Sequence, residues 1–435
     1  MTGVEVFNEV LKIIVHGILP LLSGSLCLAD TFLIRGARVF DGQESQGIRD
    51  VLIESGKIAA VAPKIKTRSG AIVVDGHGST LLPGLFDSHA HVDDGGYCLR
   101  MSALFGVTTV IDLFTAGPGN TPREIHARIR AMPPGEASDF LTAGLCVTVK
   151  GGHGTQFGIP IPTLDDPAEA QAFVDARIAE GSDLIKIIYE NFGGKVPRLH
   201  KASMERVVEA AHARGKLAVV HAGEGPDSIR DALDAGADGV AHSFVNGVAD
   251  ADYGRMFVSH GAFIIPTLTE MVNLCGLPDN AALGRDPRVT PWLPEAEAGR
   301  LKKSVGKPKH HYDCVGSFAS IPLLVDAGVM VLAGTDAGNP GVSHGASLHE
   351  ELELLVRCGL SPKQALVAAT SAPARVWGLR DRGRIAPGFR ADLLLVDGDP
   401  TEDITATRKI NRVWLAGVLV NRNKLLQTAK SLQPK

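Results

Sequence analysis

The feature that most constrains the fold of this sequence is a long alternation of short apolar and amphipathic segments, running from about Leu81 to about Leu379. Amphipathic stretches such as Lys201–Arg214 have helical periodicity and separate the apolar ones. Eight apolar segments have the length and composition of β-strands, namely Leu81–His89, Val107–Leu113, Phe140–Leu145, Leu184–Tyr189, Leu217–His221, Gly239–His242, Ala262–Thr267 and Met330–Asp336. Eight strands with crossover helices predict an α/β fold, a closed (β/α)8 TIM barrel. An open doubly wound sheet is the alternative, but no GxGxxG turn follows an early strand.

The two ends of the chain carry a different pattern, in which short strands are separated by Asp-Gly and Ser-Gly turns. At the far end, Ala391–Val396 and Ile410–Leu415 are strand-like. Neither half makes a satisfactory sheet alone, so we expect the two ends to pair into one small β-sandwich. The predicted domains are therefore a sandwich built from residues 30–80 and 381–425, and a barrel over 81–380.

The first 29 residues differ in kind from the rest. Ile13–Ala29 is mostly apolar and ends in a small residue. This run is shorter than a comfortable membrane span and resembles the apolar region and cleavage site of a secretory signal, although Lys12 is balanced by Glu5 and Glu9. We predict a signal peptide over residues 1–29 and a periplasmic or secreted protein. A wrongly chosen start codon or an N-terminal helix, with a cytoplasmic protein, is the alternative.

Charge and cysteine content exclude several classes of function. The formal net charge is −4 without a basic run, so nucleic acid is not an expected partner. The six cysteines are scattered singly without a CxxC pair, which argues against a thiolate zinc site or a redox motif. Free thiols are the expectation, with one or two disulfides left open. The polar stretch from Asn273 to Tyr312 is too long for a simple connection and predicts a helical lid or active-site loop.

Unusual polar residues fall at the carboxyl ends of the strand candidates, where barrel enzymes place their chemistry. The first candidate ends in Asp87-Ser88-His89-Ala90-His91. Residues two apart on a strand point to the same face, so His89 and His91 can reach one metal ion. An HxH pair alone is common by chance, and its meaning depends on what the other strands carry.

The fourth candidate strand carries Lys186 between aliphatic residues. A lysine in mid-strand is costly unless its charge is paired or removed. Reaction with carbon dioxide would convert its amine into an anionic carbamate, whose two oxygens could bridge two metals. The alternative is a lysine that extends to the barrel rim or pairs with a carboxylate.

Three further polar residues end later strand candidates: His221 ends the fifth, His242 the sixth and Asp336 the eighth. Each alone has an ordinary explanation, such as a hydrogen-bonded core histidine or a capping aspartate. Together with the first pair and the lysine they predict a site rich in nitrogen and oxygen. Such a site suits zinc, with manganese, cobalt or nickel as alternatives.

The series HxH, Lys, His, His, Asp resembles the binuclear-metal subtype of the amidohydrolase superfamily, over nearly the whole chain after residue 30. The flanking segments Leu82–Asp87 and Ala391–Leu393 agree with this resemblance. Within the superfamily the chain is most similar to the imidazolonepropionase-like and Xaa-Pro dipeptidase-like (prolidase-like) group. Supporting features are Gly151–Gly154, which reads GGHG, and the helix start at Ser361–Leu366.

The resemblance implies two divalent metal ions, zinc being preferred, bridged by a hydroxide. It assigns their ligands as follows: His89, His91 and Asp336 for the more buried ion, His221 and His242 for the more exposed ion, and carboxylated Lys186 between them. Two cations lower the pKa of a shared water. Asp336 would then take the proton as general base and deliver it to the leaving amine as general acid.

Two residues are predicted to meet the substrate. By the resemblance, His153 on the Gly-rich loop is catalytic and contacts substrate or stabilises the tetrahedral oxyanion; a solvated histidine is the alternative. Tyr189, near the end of the lysine strand, could donate to a substrate carboxylate or be a wall residue. Relatives often have a Ser-Gly-Gly segment after this strand, whereas this chain has YENFGG over Tyr189–Gly194, which leaves the specificity open.

The leading functional hypothesis is hydrolysis of an amide or peptide C–N bond in a small substrate, a dipeptide or an N-acyl amino acid. Cyclic amide hydrolysis of the imidazolone or hydantoin type, deamination, and lactone or ester hydrolysis are the alternatives. Mononuclear deaminases generally lack the strand-four lysine, so Lys186 argues against them. A non-catalytic scaffold would have lost ligands, and here all six positions are filled. We expect a homo-oligomer with a small-molecule substrate and without a stable membrane span.

Overall fold

The computed structural model describes residues 30–92, 96–115, 120–158, 160–277, 280–303, 312 and 314–432. The predicted signal peptide, residues 1–29, lies outside the described residues. Within the described ranges, no helix combines the length and the hydropathy that crossing a bilayer requires.

The strands of the described chain are β1 Phe32–Phe40, β2 Ser45–Glu54, β3 Lys57–Ala62, β4 Ile72–Asp75, β5 Ser79–Pro83, β6 Leu85–Ala90, β7 Val107–Asp112, β8 Asp139–Thr142, β9 Ile185–Ile188, β10 Ala218–His221, β11 Gly239–Ala241, β12 Phe263–Ile265, β13 Met330–Val331, β14 Leu393–Asp397, β15 Ile410–Leu415 and β16 Val418–Leu419. The α-helices are α1 Cys98–Leu104, α2 Pro122–Arg130, α3 Ala170–Glu180, α4 Lys201–Ala213, α5 Pro226–Asp234, α6 Tyr253–His260, α7 Leu268–Leu274, α8 Asn280–Leu283, α9 Glu295–Lys303, α10 Val315–Asp326, α11 Ala346–Arg357, α12 Pro362–Ala368, α13 Ser371–Val376 and α14 Arg422–Ser431.

Strands from both chain ends form one eight-stranded sheet, in the order β16-β15-β14-β5-β1-β2-β3, with β4 beside β1. The expected pairing of the two ends occurs where β5 runs antiparallel to β14, with Leu82 opposite Leu394. This sheet has its own core, in which the rings of Phe32 and Trp414 meet edge to face with centroids 5.9 Å apart. The strands are thus one continuous hydrogen-bonded sheet, where the sequence predicted a sandwich.

The central strands are parallel and form two sheets, β6-β7-β8 and β13-β12-β11-β10-β9. Parallel bridges join these sheets on both sides. Val147, beyond β8, pairs with Ile187 of β9, and Ala337, beyond β13, pairs with Ala90 of β6. Helices lie between the strands, so the predicted alternation of strand and helix is present. All these strands therefore direct their carboxyl ends toward the same side of the fold.

The first central strand begins later than the sequence predicted. The candidate Leu81–His89 divides at Gly84 into β5, which belongs to the end sheet, and β6, which pairs with β7. A Cβ atom on Gly84 would lie 2.3 Å from the side chain of Thr108. Glycine is thus required where the chain passes from one sheet to the other, a constraint that apolar patterning does not reveal.

The expectation of free thiols is wrong for two cysteines, because Cys275 and Cys314 form a disulfide across 39 residues of sequence. Among the described residues, Cys98, Cys146 and Cys358 form no disulfide. The disulfide joins the end of α7 to the start of α10. The Cα atoms of the two cysteines lie 6.2 Å apart. Helices α8 and α9 lie in the segment that it encloses, as expected for the predicted helical lid. Spacing along the chain gives no sign of this proximity.

Candidate metal centre

Six polar residues from different strands meet in one cavity of about 330 Å³. Lys186 lies within β9, and the other five lie near or beyond the carboxyl end of a central strand, so the parallel arrangement brings distant parts of the sequence together. These residues are His89, His91, Lys186, His221, His242 and Asp336. The structure therefore gathers every residue that the sequence predicted as a metal ligand.

Asp336 lies at the centre of this group. Its Oδ1 atom is 2.7 Å from Nε2 of His91 and 3.2 Å from Nε2 of His89, and its Oδ2 atom is 3.8 Å from Nδ1 of His242. Despite these short distances, Oδ1 has no aligned hydrogen-bond partner among the described residues. One ligand atom from each of His89, His242 and Asp336 lies within 4.8 Å of the other two, close enough to hold one metal ion.

The contacts of His91 indicate which of its two ring nitrogens carries a proton. Its Nδ1 atom lies 3.1 Å from the carbonyl oxygen of Phe114. A carbonyl only accepts hydrogen bonds, so Nδ1 carries a proton and donates it. In a neutral imidazole, Nε2 then presents a lone pair to Oδ1 of Asp336 at 2.7 Å. Two acceptors at this distance repel each other unless they share a proton or a cation.

His221 and His242 form the second group of candidate ligands. Their ring centroids are 4.4 Å apart, and the ring of His242 is 4.6 Å from that of His89. The Nε2 atom of His221 is 3.8 Å from Oε2 of Glu190. Nδ1 of His242 is hydrogen bonded to Thr267 Oγ1 at 2.9 Å, which holds the ring in one orientation.

Lys186 is buried on β9, and its Nζ atom has no hydrogen-bond partner among the described residues. Burial lowers the pKa of this amine to about 8, although Asp336 acts in the opposite direction. An unpaired buried ammonium is costly. The surroundings of Lys186 therefore disfavour its charged form.

The backbone at the site adopts a conformation that side-chain-bearing residues rarely take. His242, Thr267 and Asp336 have φ angles of +72°, +48° and +64°. Such a conformation costs of order 1 kcal/mol or more per residue and persists where the surroundings impose it. Of these three residues, His242 and Asp336 line the cavity, and Thr267 is hydrogen bonded to His242.

The Asp87 carboxylate connects the segment that carries His89 to the segment that carries Asp336. Its carboxylate accepts hydrogen bonds from the Thr335 hydroxyl at 2.7 Å, from the Thr335 backbone N–H at 3.0 Å and from the His89 backbone N–H at 3.2 Å. Burial raises the pKa of Asp87 to about 6 despite these bonds. The residue therefore fixes the start of the Asp336 loop relative to His89.

Electrostatics favour neutral imidazoles at much of the site. Burial, with the nearby Lys186, lowers the pKa of His89 to about 3, and burial lowers that of His242 well below its usual value. Burial also acts on His91, but the Asp336 carboxylate outweighs it and raises the pKa of His91. The same histidines outweigh burial at Asp336 and hold its pKa well below its usual range. Neutral imidazole and ionised carboxylate are the forms that bind metals.

A second cavity of about 600 Å³ adjoins the first and shares with it His153, His221, His242 and Asp336. The ring of His153 lies 5.2 Å from that of His221 and packs edge to face on Phe192, with centroids 4.7 Å apart. Burial lowers the pKa of His153 to about 3. His153 therefore lies between the candidate metal centre and the space that a substrate would fill.

Sequence reasoning missed two buried carboxylates that line the larger cavity, Glu190 and Glu270. Glu190 accepts hydrogen bonds from the backbone N–H groups of Asn191 and Phe192, at 2.9 and 2.8 Å. Burial, with Asp336 nearby, raises the pKa of Glu270 well above its usual value. Glu190 follows β9 directly, so its place after the lysine strand was a usable signal. Glu270 lies on α7, where nothing in the local sequence marks it.

The structure places Tyr189, a predicted substrate-binding residue, in contact with Asp231 and Arg198. Its hydroxyl donates to Oδ2 of Asp231 at 3.0 Å, and the guanidinium of Arg198 stacks on its ring at 4.5 Å. Tyr189 is buried and does not line either cavity at the site. This arrangement favours the alternative, a residue of the supporting wall.

Comparison with known proteins assigns the chain to a family. The amidohydrolase family model matches residues 80–420, and the chain belongs to that family. This confirms the predicted resemblance and, with it, the predicted class of enzyme, an amidohydrolase.

Individual relatives agree with the predicted group. An imidazolonepropionase from Deinococcus deserti is 46% identical over 101 residues, but the match covers 22% of this chain and only 25% of that relative's length. An imidazolonepropionase from Salinispora arenicola is 28% identical over 366 residues, covering 80% of this chain and 85% of that protein. The crystal structure of a putative prolidase from Bifidobacterium longum aligns with a TM-score of 0.71 at 25% identity, covering 92% of this chain and 99% of that one.

Proposed function

We propose that this protein is a hydrolase that uses two divalent metal ions to cleave an amide or peptide C–N bond in a small substrate, a dipeptide or an N-acyl amino acid. The observation that carries the proposal is the convergence of six nitrogen and oxygen side chains on one cavity, with Lys186 buried among them and without a hydrogen-bond partner among the described residues. Membership of the amidohydrolase family and the likeness to a putative prolidase favour a C–N bond as the target.

The residues fit a pair of metal ions. The lone pairs of His91 and Asp336 face each other at 2.7 Å, and a shared cation turns that repulsion into attraction. We assign His89, His91 and Asp336 to one ion and His221 and His242 to the other. Lys186, carboxylated by carbon dioxide, would contribute an oxygen to each. Histidine nitrogens and carboxylate oxygens suit zinc.

The bound ions would supply Lewis acidity and an acidified water molecule. The chain's own groups then manage protons and substrate. Asp336, held beneath the cavity by its loop, would accept a proton from the attacking water and pass it to the departing amine. His153 would donate a hydrogen bond to the substrate's carbonyl oxygen. The larger cavity would hold the rest of the substrate against Phe157 and Phe192.

The architecture and the location belong to the same proposal. We propose that the bridges at Val147 and Ala337 close the two parallel sheets into one (β/α)8 barrel over residues 81–380, with the end sheet as a second domain over 30–80 and 381–425. Export to the periplasm or the medium after removal of residues 1–29 is supported by the Cys275–Cys314 disulfide. Such bonds persist in oxidising compartments.

A second candidate is hydrolysis of a cyclic amide of the imidazolone type. The observation that favours it is the match to an imidazolonepropionase over 80% of this chain and 85% of that protein. Both candidates use the same metal centre and differ in what the larger cavity accommodates.

The test is product analysis by mass spectrometry after incubating the zinc-loaded protein with one mixed library of dipeptides, N-acyl amino acids, cyclic ureides, lactones and aminated heterocycles. We expect release of free amino acids, which would also identify the C-terminal residue that fits the cavity. Ring-opened products would favour the second candidate. Lactone or heterocycle products without amino acid release would contradict the proposed substrate class.

A further inference from the structure

We infer that Gln156 is a positioning residue, which fixes His153 in the tautomer that carries its proton on Nε2. The loop that bears both residues follows β8 and lies over the candidate metal centre. The tautomer follows from hydrogen bonds within this loop. Its consequence for catalysis rests on the proposed function, in which His153 donates to the substrate's carbonyl oxygen.

The orientation of the Gln156 amide is set by a backbone group. The N–H of Gly154 lies 2.7 Å from Oε1 of Gln156. A backbone N–H can only donate, so it must face the amide oxygen and not the amide nitrogen. The NH₂ group of Gln156 therefore occupies the other position, 2.7 Å from Nδ1 of His153.

The tautomer of His153 follows from that orientation. An amide NH₂ can only donate, so Nδ1 of His153 must accept and cannot carry a proton. A neutral imidazole has a single N–H, which is then on Nε2. No hydrogen bond joins Nε2 to another described residue. It is thus the ring atom available to a substrate in the two cavities that His153 lines.

The loop also fixes where this donor lies. The Thr148 hydroxyl donates to the His153 carbonyl at 2.7 Å, and the Thr155 hydroxyl donates to the Gly152 carbonyl at 2.7 Å. The ring packs edge to face on Phe192. A ring held on these sides can present one nitrogen in a defined direction, as a preorganised donor must.

The opposite tautomer would present a lone pair to the substrate oxygen. Carbonyl oxygen gains negative charge during attack on an amide, so a lone pair there would repel it, whereas N–H stabilises it. Gln156 therefore contributes to catalysis through His153, by fixing which ring nitrogen carries the proton. A solvated histidine with no such partner would exchange freely between the two tautomers.

One substitution reverses the direction of the hydrogen bond between residue 156 and His153 while keeping the hydrogen bond from the Gly154 N–H. In Gln156→Glu, one carboxylate oxygen still accepts from the Gly154 N–H, but the other can no longer donate to His153. Nδ1 must then become the donor, and the neutral imidazole takes the other tautomer, in which its single proton has moved from Nε2 to Nδ1. Gln427→Glu, at an exposed position on α14, makes the same change of charge away from the site and is the matched control.

The experiment is ¹⁵N NMR of the zinc-loaded protein labelled at histidine, with the His153 signals assigned by their loss in His153→Asn. We expect unprotonated Nδ1 and protonated Nε2 in the wild type and in Gln427→Glu, and protonated Nδ1 with unprotonated Nε2 in Gln156→Glu. Protonated Nδ1 in the wild type, or unprotonated Nδ1 in Gln156→Glu, would overturn the inference.

Kinetics separate this inference from the proposed function. On a substrate found by the library screen, Gln156→Glu should lower kcat by roughly tenfold or more, since removing an oxyanion donor costs 10²–10³ in known cases, while KM changes little. If the NMR result is as expected and kcat is unchanged, the tautomer stands and the proposed role of His153 is wrong. If the library yields no substrate, the NMR result alone still decides the tautomer.

Discussion

Replacing Lys186 with methionine should make the metal-free protein more stable. Burial lowers the pKa of the amine from 10.5 to about 8, and one pKa unit corresponds to about 1.4 kcal/mol. Keeping the amine charged in the folded state therefore costs roughly 3 kcal/mol at pH 7. Methionine fills similar space without a charge. We expect Lys186→Met to raise the free energy of unfolding by roughly 2–3 kcal/mol after small packing losses.

The sign of the pH dependence follows from linkage. The folded pKa lies below the unfolded value, so the cost is fully present below about pH 8 and disappears as pH rises to 10.5. The difference between Lys186→Met and the wild type should shrink over that window.

The assay is urea unfolding of protein stripped of metal with EDTA, in buffer free of carbon dioxide. Lys66→Met, at an exposed position, is the matched control and should change stability by less than about 0.5 kcal/mol. Zinc and bicarbonate should reverse the order, because the wild type then gains the binding free energy of two ions and the variant does not. A metal-free variant that is less stable than the wild type at pH 7 would refute the reasoning, since it would mean that the charge of Lys186 is compensated.

Three further predictions concern other parts of the structure. Asp336→Asn should reduce kcat by at least about 10²-fold with an unchanged circular dichroism spectrum, and near-normal rates would contradict proton transfer by Asp336. Glu351 accepts hydrogen bonds from the first backbone N–H groups of α7, and burial raises the pKa of its carboxyl group from 4.5 to about 8. The folded protein therefore binds the Glu351 proton more tightly than the unfolded chain does. The contribution of Glu351 to the free energy of unfolding falls as pH rises from 4.5 to about 8. Glu351→Gln should therefore flatten the pH dependence of unfolding of the metal-free protein between pH 5 and 8, and an unaltered slope would count against it. Reducing the Cys275–Cys314 disulfide should cost about 4 kcal/mol for 39 residues of separation, and intact mass should reveal two alkylation sites that appear only after reduction.

Much of the site could be predicted because its polar residues lie in or at the ends of apolar strand segments, where polar side chains are unusual. His89 and His91 are two apart on a strand and share a face, which the sequence alone reveals. Lys186 stands out as a charge among aliphatic strand residues. Since parallel strands bring their carboxyl ends to one side of the fold, the position of His221 at a strand end was enough to place it with the others.

Other features depend on contacts between segments that the sequence does not pair. Tyr189 follows the lysine strand as a substrate-binding residue might, but its hydroxyl is bound by Asp231 from another helix. Glu270 reaches the cavity from α7, whose place is set by packing. The role of Gln156 depends on the Gly154 N–H, a loop contact that residue type and spacing leave unspecified. Helix packing places Glu270 and the partner of Tyr189, and loop conformation places Gln156; strand pattern specifies none of the three.

The most direct test of the dimetal centre is the metal content of the purified protein, combined with a ¹³C spectrum after exchange with ¹³C-bicarbonate. The account predicts two divalent ions per chain and a carbamate signal that is absent from Lys186→Met. One tightly bound ion per chain and no carbamate signal in an active enzyme would contradict it, and would leave Lys186 with some other partner in the cavity.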